Sequence, residues 1–344
     1  MPAAGAGQSV GSGQTPSSAL PVTVDDPALE ARILAGVSEI ERQLADAAHS
    51  DEPFVAEAAT HLLRAGGKRF RPLLVTLSAE FGDPAAPGVV PSAVVVELTH
   101  LATLYHDDVM DEADKRRGAL SANARWDNTL AILVGDFLFA QASEIVASLG
   151  PEAVRIQART FSRLVHGQIR ETIGPGESDP LKHYLEVVAD KTGSLIATAA
   201  RFGAMMSAAP VEVERALTEF GERIGAAFQL RDDIIDIASE TGESGKTPGT
   251  DLREGVPTLP VLLALQSSDP ADARLRELLS KPLVDDAEHA EALTALRAHP
   301  AMDEARSYVH AEADAARALL HSLPDIPARA ALEQLCDAVA TRLG

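Results

Sequence analysis

The chain has 344 residues, room for one large domain or two modest ones with a deep interior, and its 30 Lys and Arg stand against 51 Asp and Glu for a net charge of −21. That balance argues against a nucleic-acid-binding surface, which needs clustered cations to displace counterions, and against a basic membrane-surface protein. A single cysteine, Cys336, leaves no intrachain disulfide framework and no cysteine-built metal site, so a reducing cytoplasm is the expected compartment.

Residues 1–24 are Gly, Ser, Ala, Pro and Gln with almost no charge, a composition that does not repay the entropy of ordering, and a disordered tail is expected there. The same stretch lacks the basic start and apolar core of a signal peptide, and no apolar run reaches the roughly 18 residues of a membrane span. From Asp26 onward the pattern is helical, and residues 25–344 are expected to form one all-helical domain. Asp26-Pro27 reads as a cap and first-turn proline, and Leu29, Ile33, Ile40 and Leu44 keep a 3.6-residue stripe. A second helix runs to Ala65 and stops at Gly66-Gly67; a third follows Pro72 and ends near Gly82. Apolar-periodic stretches cover 92–113, 127–149, 151–173, 180–207 and 211–238, with shorter ones after a loop at 239–256. Alternating Val-Ile-Thr runs between hairpin turns are missing, so the fold class is all-α.

One motif occurs twice. Asp107-Asp108-Val109-Met110-Asp111 and Asp232-Asp233-Ile234-Ile235-Asp236 are both DDxxD, each toward the C-terminal end of a long apolar helix, against about 0.1 matches expected by chance. Residues three and four apart share a helical face, so three carboxylates crowd together at the end where the helix dipole already disfavours anions. The apolar flanks Leu101, Leu104 and Val109, and Phe228, Leu230, Ile234 and Ile235, suggest carboxylates aimed into an apolar cavity and in need of counter-charge. Hard oxygen ligands with space for water and phosphate suit Mg²⁺ bridging a diphosphate. An EF-hand fails, because Val109 and Glu112 occupy positions that loop requires to be acidic and glycine. A di-iron bundle needs two Glu-x-x-His motifs, and Glu97-x-x-His100 has no better second than Asp286-x-x-His289.

In so acidic a chain the cation clusters are informative. Gly66-Gly67-Lys68-Arg69-Phe70-Arg71 puts three cations after a Gly-Gly turn, where exposed amides join Lys and Arg in cradling an anion. Lys115-Arg116-Arg117-Gly118 follows the first acidic motif closely enough to grip a diphosphate held by metal there. Lys191-Thr192-Gly193 interrupts an apolar helix with a glycine that costs about 1 kcal/mol against alanine, which hints at a functional kink. Gly245-Lys246 lies in the loop past the second motif, placed to close over a phosphate. Two acidic triads and these clusters suffice for two diphosphate sites. No nucleophile elbow, P-loop or dinucleotide fingerprint is present, so the chemistry is driven by ionisation.

Read together and in this order, these motifs, with Gly135-Asp136, Phe228-Gln229 and Thr258-Leu259-Pro260, resemble the trans-isoprenyl diphosphate synthases, or polyprenyl synthetases, over nearly everything from residue 29 to 344. The resemblance implies antiparallel helices around a deep central cavity, with the acidic motifs facing each other across its mouth. It implies that Asp107, Asp111 and Asp232 bind three Mg²⁺ ions, and that Asp108, Asp233 and Asp236 orient those ligands or their waters. Arg116, Lys191, Thr192, Gln229 and Lys246 match positions contacting the allylic diphosphate; Lys68, Arg71, His100 and Arg117 match those holding isopentenyl diphosphate. It also implies a homodimer and, for product release, transient membrane contact. One departure stands out: Val256 follows Gly255 where many relatives carry Lys, and Arg253 is the candidate substitute.

Ala102 and Thr103, five and four residues before Asp107, are small where short-chain members tend to carry an aromatic plug. An open tunnel and an all-trans product of about 35 to 50 carbons, suited to a quinone side chain, are therefore expected. A short-chain synthase, with a floor at Leu98, Phe137 or Phe139, is the alternative within the same chemistry. A class I terpene cyclase would not need the Lys68, Arg71 and Arg117 set, and a non-catalytic subunit would typically lose acidic triads that are intact here.

Overall fold

The computed structural model describes residues 24–239 and 248–341, so the expected tail lies almost wholly outside the described residues. α1 (Pro27–Ala47) begins as its sequence dictates: the Asp26 carboxylate accepts the Leu29 N–H at 2.6 Å, and Leu29, Ile33, Ile40 and Leu44 are buried. The run to Ala65 breaks into α2 (Pro53–Ala59) and α3 (His61–Arg64). α4 (Phe70–Ala79) starts two residues before Pro72, not after it, because a first-turn position has no intrahelical bond for proline to forfeit. α5 (Val89–Met110) carries the first acidic motif at its end, with Asp111 as its C-cap.

The expectation of no hairpin is corrected. β1 (Lys115–Arg116) and β2 (Ala119–Leu120) pair antiparallel around Arg117-Gly118, whose φ angles are 53° and 79°. Two-residue strands leave no alternating pattern to read, and the left-handed turn alone marks them. α6 (Ala122–Arg125), α7 (Asn128–Ser148) and α8 (Pro151–Ile173) follow. α9 (Pro180–Val188) passes through a five-residue π turn, Ala189–Gly193, into α10 (Ser194–Met206), so the kink expected at Lys191-Thr192-Gly193 is a π turn. α11 (Val211–Ala238) carries the second acidic motif. α12 (Thr250–Glu254), α13 (Leu259–Leu265), α14 (Ala273–Leu279), α15 (Asp286–Ala298), α16 (Ala301–Leu320) and α17 (Pro327–Thr341) complete the chain.

One contiguous apolar core runs through these helices. α5 packs on α7, α4 and α10, while α11 packs on α10 and α16, so α10 stands between the helices bearing the two acidic motifs. The statement that no segment is long and apolar enough to span a membrane is also corrected: α7 passes by length and composition, with Asp136 and Glu144 its only charges. Only a third of its most apolar stretch is buried, and Ile132 and Leu133 face outward with Val154, Val165 and Ile169 of α8.

Candidate active site

The first acidic motif splits into three carboxylates of different character. Asp108 is completely buried; its Oδ1 accepts the Arg116 Nε at 2.6 Å and its Oδ2 has no partner. Asp107 makes no side-chain hydrogen bond among the described residues, and burial, seconded by Asp111 and Glu171, pushes its carboxyl up to about 6 against the pull of Lys191 and Arg116. Asp111 is exposed at the helix end. Asp107 and Asp111 thus present an acidic face that Lys191 and Arg116 offset only in part. Arg116, matched to the allylic diphosphate, here neutralises the buried carboxylate beside them.

The π turn links this wall to the second motif. Its Ser194 N–H reaches back to Ala189 O, and Gly167 of α8 and Gly225 of α11 let it seat closely, since a Cβ at either would lie under 3.0 Å from backbone. Lys191 pairs with Glu171 and stabilises charge on Asp107. Thr192 donates to Gln229 Oε1 at 3.1 Å, Gln229 Nε2 donates to Asp233 Oδ1 at 3.0 Å, and the Tyr184 hydroxyl donates to Asp233 Oδ2. Asp233 is buried and pushed up to about 7 by that burial, with both hydrogen bonds opposing the shift. Asp232 is half-exposed, with Arg231 Nη2 at 3.3 Å; Asp236 accepts the Thr250 and Asp251 N–H groups at 3.3 Å each.

The cations after Gly66-Gly67 divide. Arg69 is buried against Glu41, Glu97 and the Leu63 carbonyl, so it serves the fold. Lys68 is exposed. Arg71 has a buried Nε with no partner, and burial, aggravated by Arg117, lowers its pKa to about 10. Arg117 donates to Gly66 O and to Leu62 O, the latter at 3.2 Å. His100 is held well below its usual pKa by burial and then by Arg71 and Arg117, which keeps it neutral among guanidinium groups. Arg71, His100 and Arg117 therefore form a half-buried cluster of two guanidinium groups around a neutral imidazole, which an anion would complete.

The sequence pattern of the polyprenyl synthetase family matches residues 52–296. The chain belongs to the polyprenyl synthetase family. A nonaprenyl diphosphate synthase of Mycobacterium tuberculosis is 52% identical over 94% of this chain and 97% of its own length. The crystal structure of a geranylgeranyl pyrophosphate synthase from Corynebacterium glutamicum, complexed with calcium and isoprenyl diphosphate, matches with a TM-score of 0.86 and 48% identity over 94% of this chain and all of that one. A decaprenyl diphosphate synthase from Rhodobacter capsulatus matches with a TM-score of 0.84 and 31% identity, over 92% and 99% of the two chains.

Within this polyprenyl synthetase two contributors escaped the sequence reading. Tyr184, one of three tyrosines, lies seven residues before Lys191, a weak signal. Arg163 of α8 binds Asp190 at 3.0 Å, the Ala189 carbonyl at 3.2 Å and Glu222, clamping the start of the π turn; in sequence it is only one arginine of an amphipathic helix. Arg253 pairs with the exposed Asp286 at 2.8 Å on the rim of α12 and α15. Lys246 lies outside the described residues. Thr103 sits on the Asp107 face of α5, whereas Ala102, fully buried, is turned about 140° round the helix from Asp107 at about 100° per residue.

Proposed function

We propose that this synthetase condenses isopentenyl diphosphate with an allylic diphosphate to make an all-trans polyprenyl diphosphate of about seven to ten isoprene units, held by a tunnel beneath Asp107. The observation that carries the two-substrate reaction is the Arg71, His100 and Arg117 cluster with its unpartnered Arg71 Nε. A terpene cyclase has no second diphosphate to place there.

The residues fit Mg²⁺. Asp107 is a carboxylate without a hydrogen-bond donor among the described residues, and Asp111 and Asp232 are open to solvent. Mg²⁺ favours this, since it keeps waters and takes one or two carboxylates together with phosphate oxygens. We assign Asp107, Asp111 and Asp232 to three Mg²⁺ ions, with Asp108, Asp233 and Asp236 fixing the scaffold around them. Bound there, the ions would supply Lewis-acid stabilisation of departing diphosphate.

Lys191 and Thr192 point to the same leaving group, and Gln229 and Tyr184 hold Thr192 and Asp233 in place for it. As the allylic C–O bond breaks, its electron pair leaves with the diphosphate. The isopentenyl double bond, positioned by Lys68, Arg71, His100 and Arg117, attacks the allylic carbon, and the new cation loses a proton to the released diphosphate. The outward apolar side of α7 and α8 supports a homodimer that covers it. Incubation with isopentenyl diphosphate, a fifteen-carbon allylic primer and Mg²⁺, then mass analysis of the dephosphorylated product, tests the reading. Chain growth is expected; hydrocarbon formed from primer alone, or no reaction, refutes it.

A further inference from the structure

α15 is remote from both acidic motifs in sequence, yet it holds both sides of the segment that follows the second one. At its C-terminal end the Arg297 guanidinium donates to the Ile237 carbonyl at 2.7 Å and to the Ser239 carbonyl. These carbonyls close α11, and the last turn of a helix leaves such groups without partners inside it. The cation also lies at the negative end of the helix dipole, where Asp232, Asp233 and Asp236 already concentrate like charge.

At the other end of α15, His289 is buried, with 5% of its surface exposed, and its Nε2 lies 2.9 Å from the Gly249 carbonyl. A carbonyl only accepts, so Nε2 carries the proton. Gly249 is left-handed with φ of 71°, and a Cβ there would come 2.7 Å from His289 Nε2, so glycine and histidine fit each other. The Gly249 N–H donates to the Asp236 carbonyl at 2.8 Å, and the next two N–H groups reach the Asp236 carboxylate. The Leu283 N–H on the Leu252 carbonyl at 3.0 Å and the rim pair Arg253–Asp286 tie α12 down further.

We propose that Arg297 and His289 are positioning residues for the second acidic motif, the first closing the negative end of α11 and the second fixing the Gly249 turn that holds Asp236. The inference rests on the proposed binding of a metal-held allylic diphosphate at that motif. It gives His289, whose Asp286-x-x-His289 spacing fails as a metal motif, a role through the backbone.

The test uses the full chain and an unreactive allylic S-thiolodiphosphate with Mg²⁺ and no isopentenyl diphosphate, read by calorimetry, alongside steady-state kinetics and circular dichroism. Arg297→Met, which loses two carbonyl partners, and His289→Leu, which loses one, should each bind the analogue at least about tenfold more weakly, the scale of a lost hydrogen bond beside charged groups, and should raise the allylic KM with the isopentenyl KM unchanged. His289→Gln, whose amide N–H donates to the same carbonyl, should recover at least half of the loss on a logarithmic scale. Arg297 is exposed, so its variant keeps the test alive if His289→Leu fails to fold. Wild-type binding of the analogue by both folded variants, or equal weakening of both KM values, overturns the inference. Wild-type protein that fails to bind the analogue overturns the proposed reaction and this inference with it.

Discussion

Replacing Asp107 by Asn should make the metal-free protein more stable while abolishing chain growth. Raising a carboxyl from 3.8 to about 6 corresponds to roughly 3 kcal/mol of folding stability surrendered once the group is ionised. The direction follows from proton binding. Below about pH 4 the carboxyl is protonated both folded and unfolded and costs nothing; between there and about 6 the folded chain keeps a proton that the unfolded chain gives up; above 6 the full cost is present. Asparagine carries no charge and so escapes it. Urea denaturation of the two proteins without metal should therefore differ by up to roughly 3 kcal/mol at pH 8 and by about half of that near pH 5. Mg²⁺ with an unreactive allylic diphosphate should stabilise the wild type and not the variant, closing the gap. No gain at pH 8, or an equal gain at every pH, would refute the assignment of Asp107 as a carboxylate kept under-compensated for metal.

Other outcomes follow from the same geometry. Tyr184→Phe removes one donor from Asp233 and should lower kcat/KM for the allylic substrate about tenfold, with the isopentenyl KM unmoved; a change in both would point to general disruption. Arg71→Met should raise the isopentenyl KM by at least tenfold and leave binding of the allylic analogue intact by calorimetry. Thr103→Phe and Ala102→Phe should each shorten the product to around fifteen or twenty carbons by mass, the first more completely because it lies on the Asp107 face; unchanged products from both would sink the tunnel assignment. Leu133→Asp, on the exposed side of α7, should shift the sedimenting species toward monomer.

Most of the helical frame was legible because its signals are local. Asp26-Pro27 caps α1, and the stretches read at 151–173 and 211–238 coincide with α8 and α11. The acidic motifs were legible because two like-charged triads on apolar helices have no cheap structural use. What local signals lacked was partner identity. Nothing in Gly66-Gly67-Lys68-Arg69-x-Arg71 separates Arg69, consumed by Glu41 and Glu97, from Arg71, left open for an anion, since the difference lies in residues 28 positions away. Tyr184, Arg163, His289 and Arg297 act through backbone carbonyls or through another side chain, and such roles leave no pattern along the chain. The β1–β2 hairpin leaves no pattern for want of length, and α7 fell short as a span in sequence because Asp136 interrupts its apolar run.

The π turn has one more consequence, and it concerns counting. It carries one residue beyond an α-helical turn, and each residue turns a helix by about 100°. Losing one residue between Val188 and Ser194 would spare every side chain of α10 yet rotate them all together. α10 is buried almost all round, and at Gly203 a Cβ would stand 2.2 Å from the Val75 carbonyl of α4, so any other residue turned to that point would collide. The arithmetic that aims Lys191 and Thr192 is therefore the same arithmetic that keeps α10 in phase with its neighbours. Substitutions in this stretch should be absorbed far more readily than a single-codon deletion, which would move substrate grip and core packing in one step.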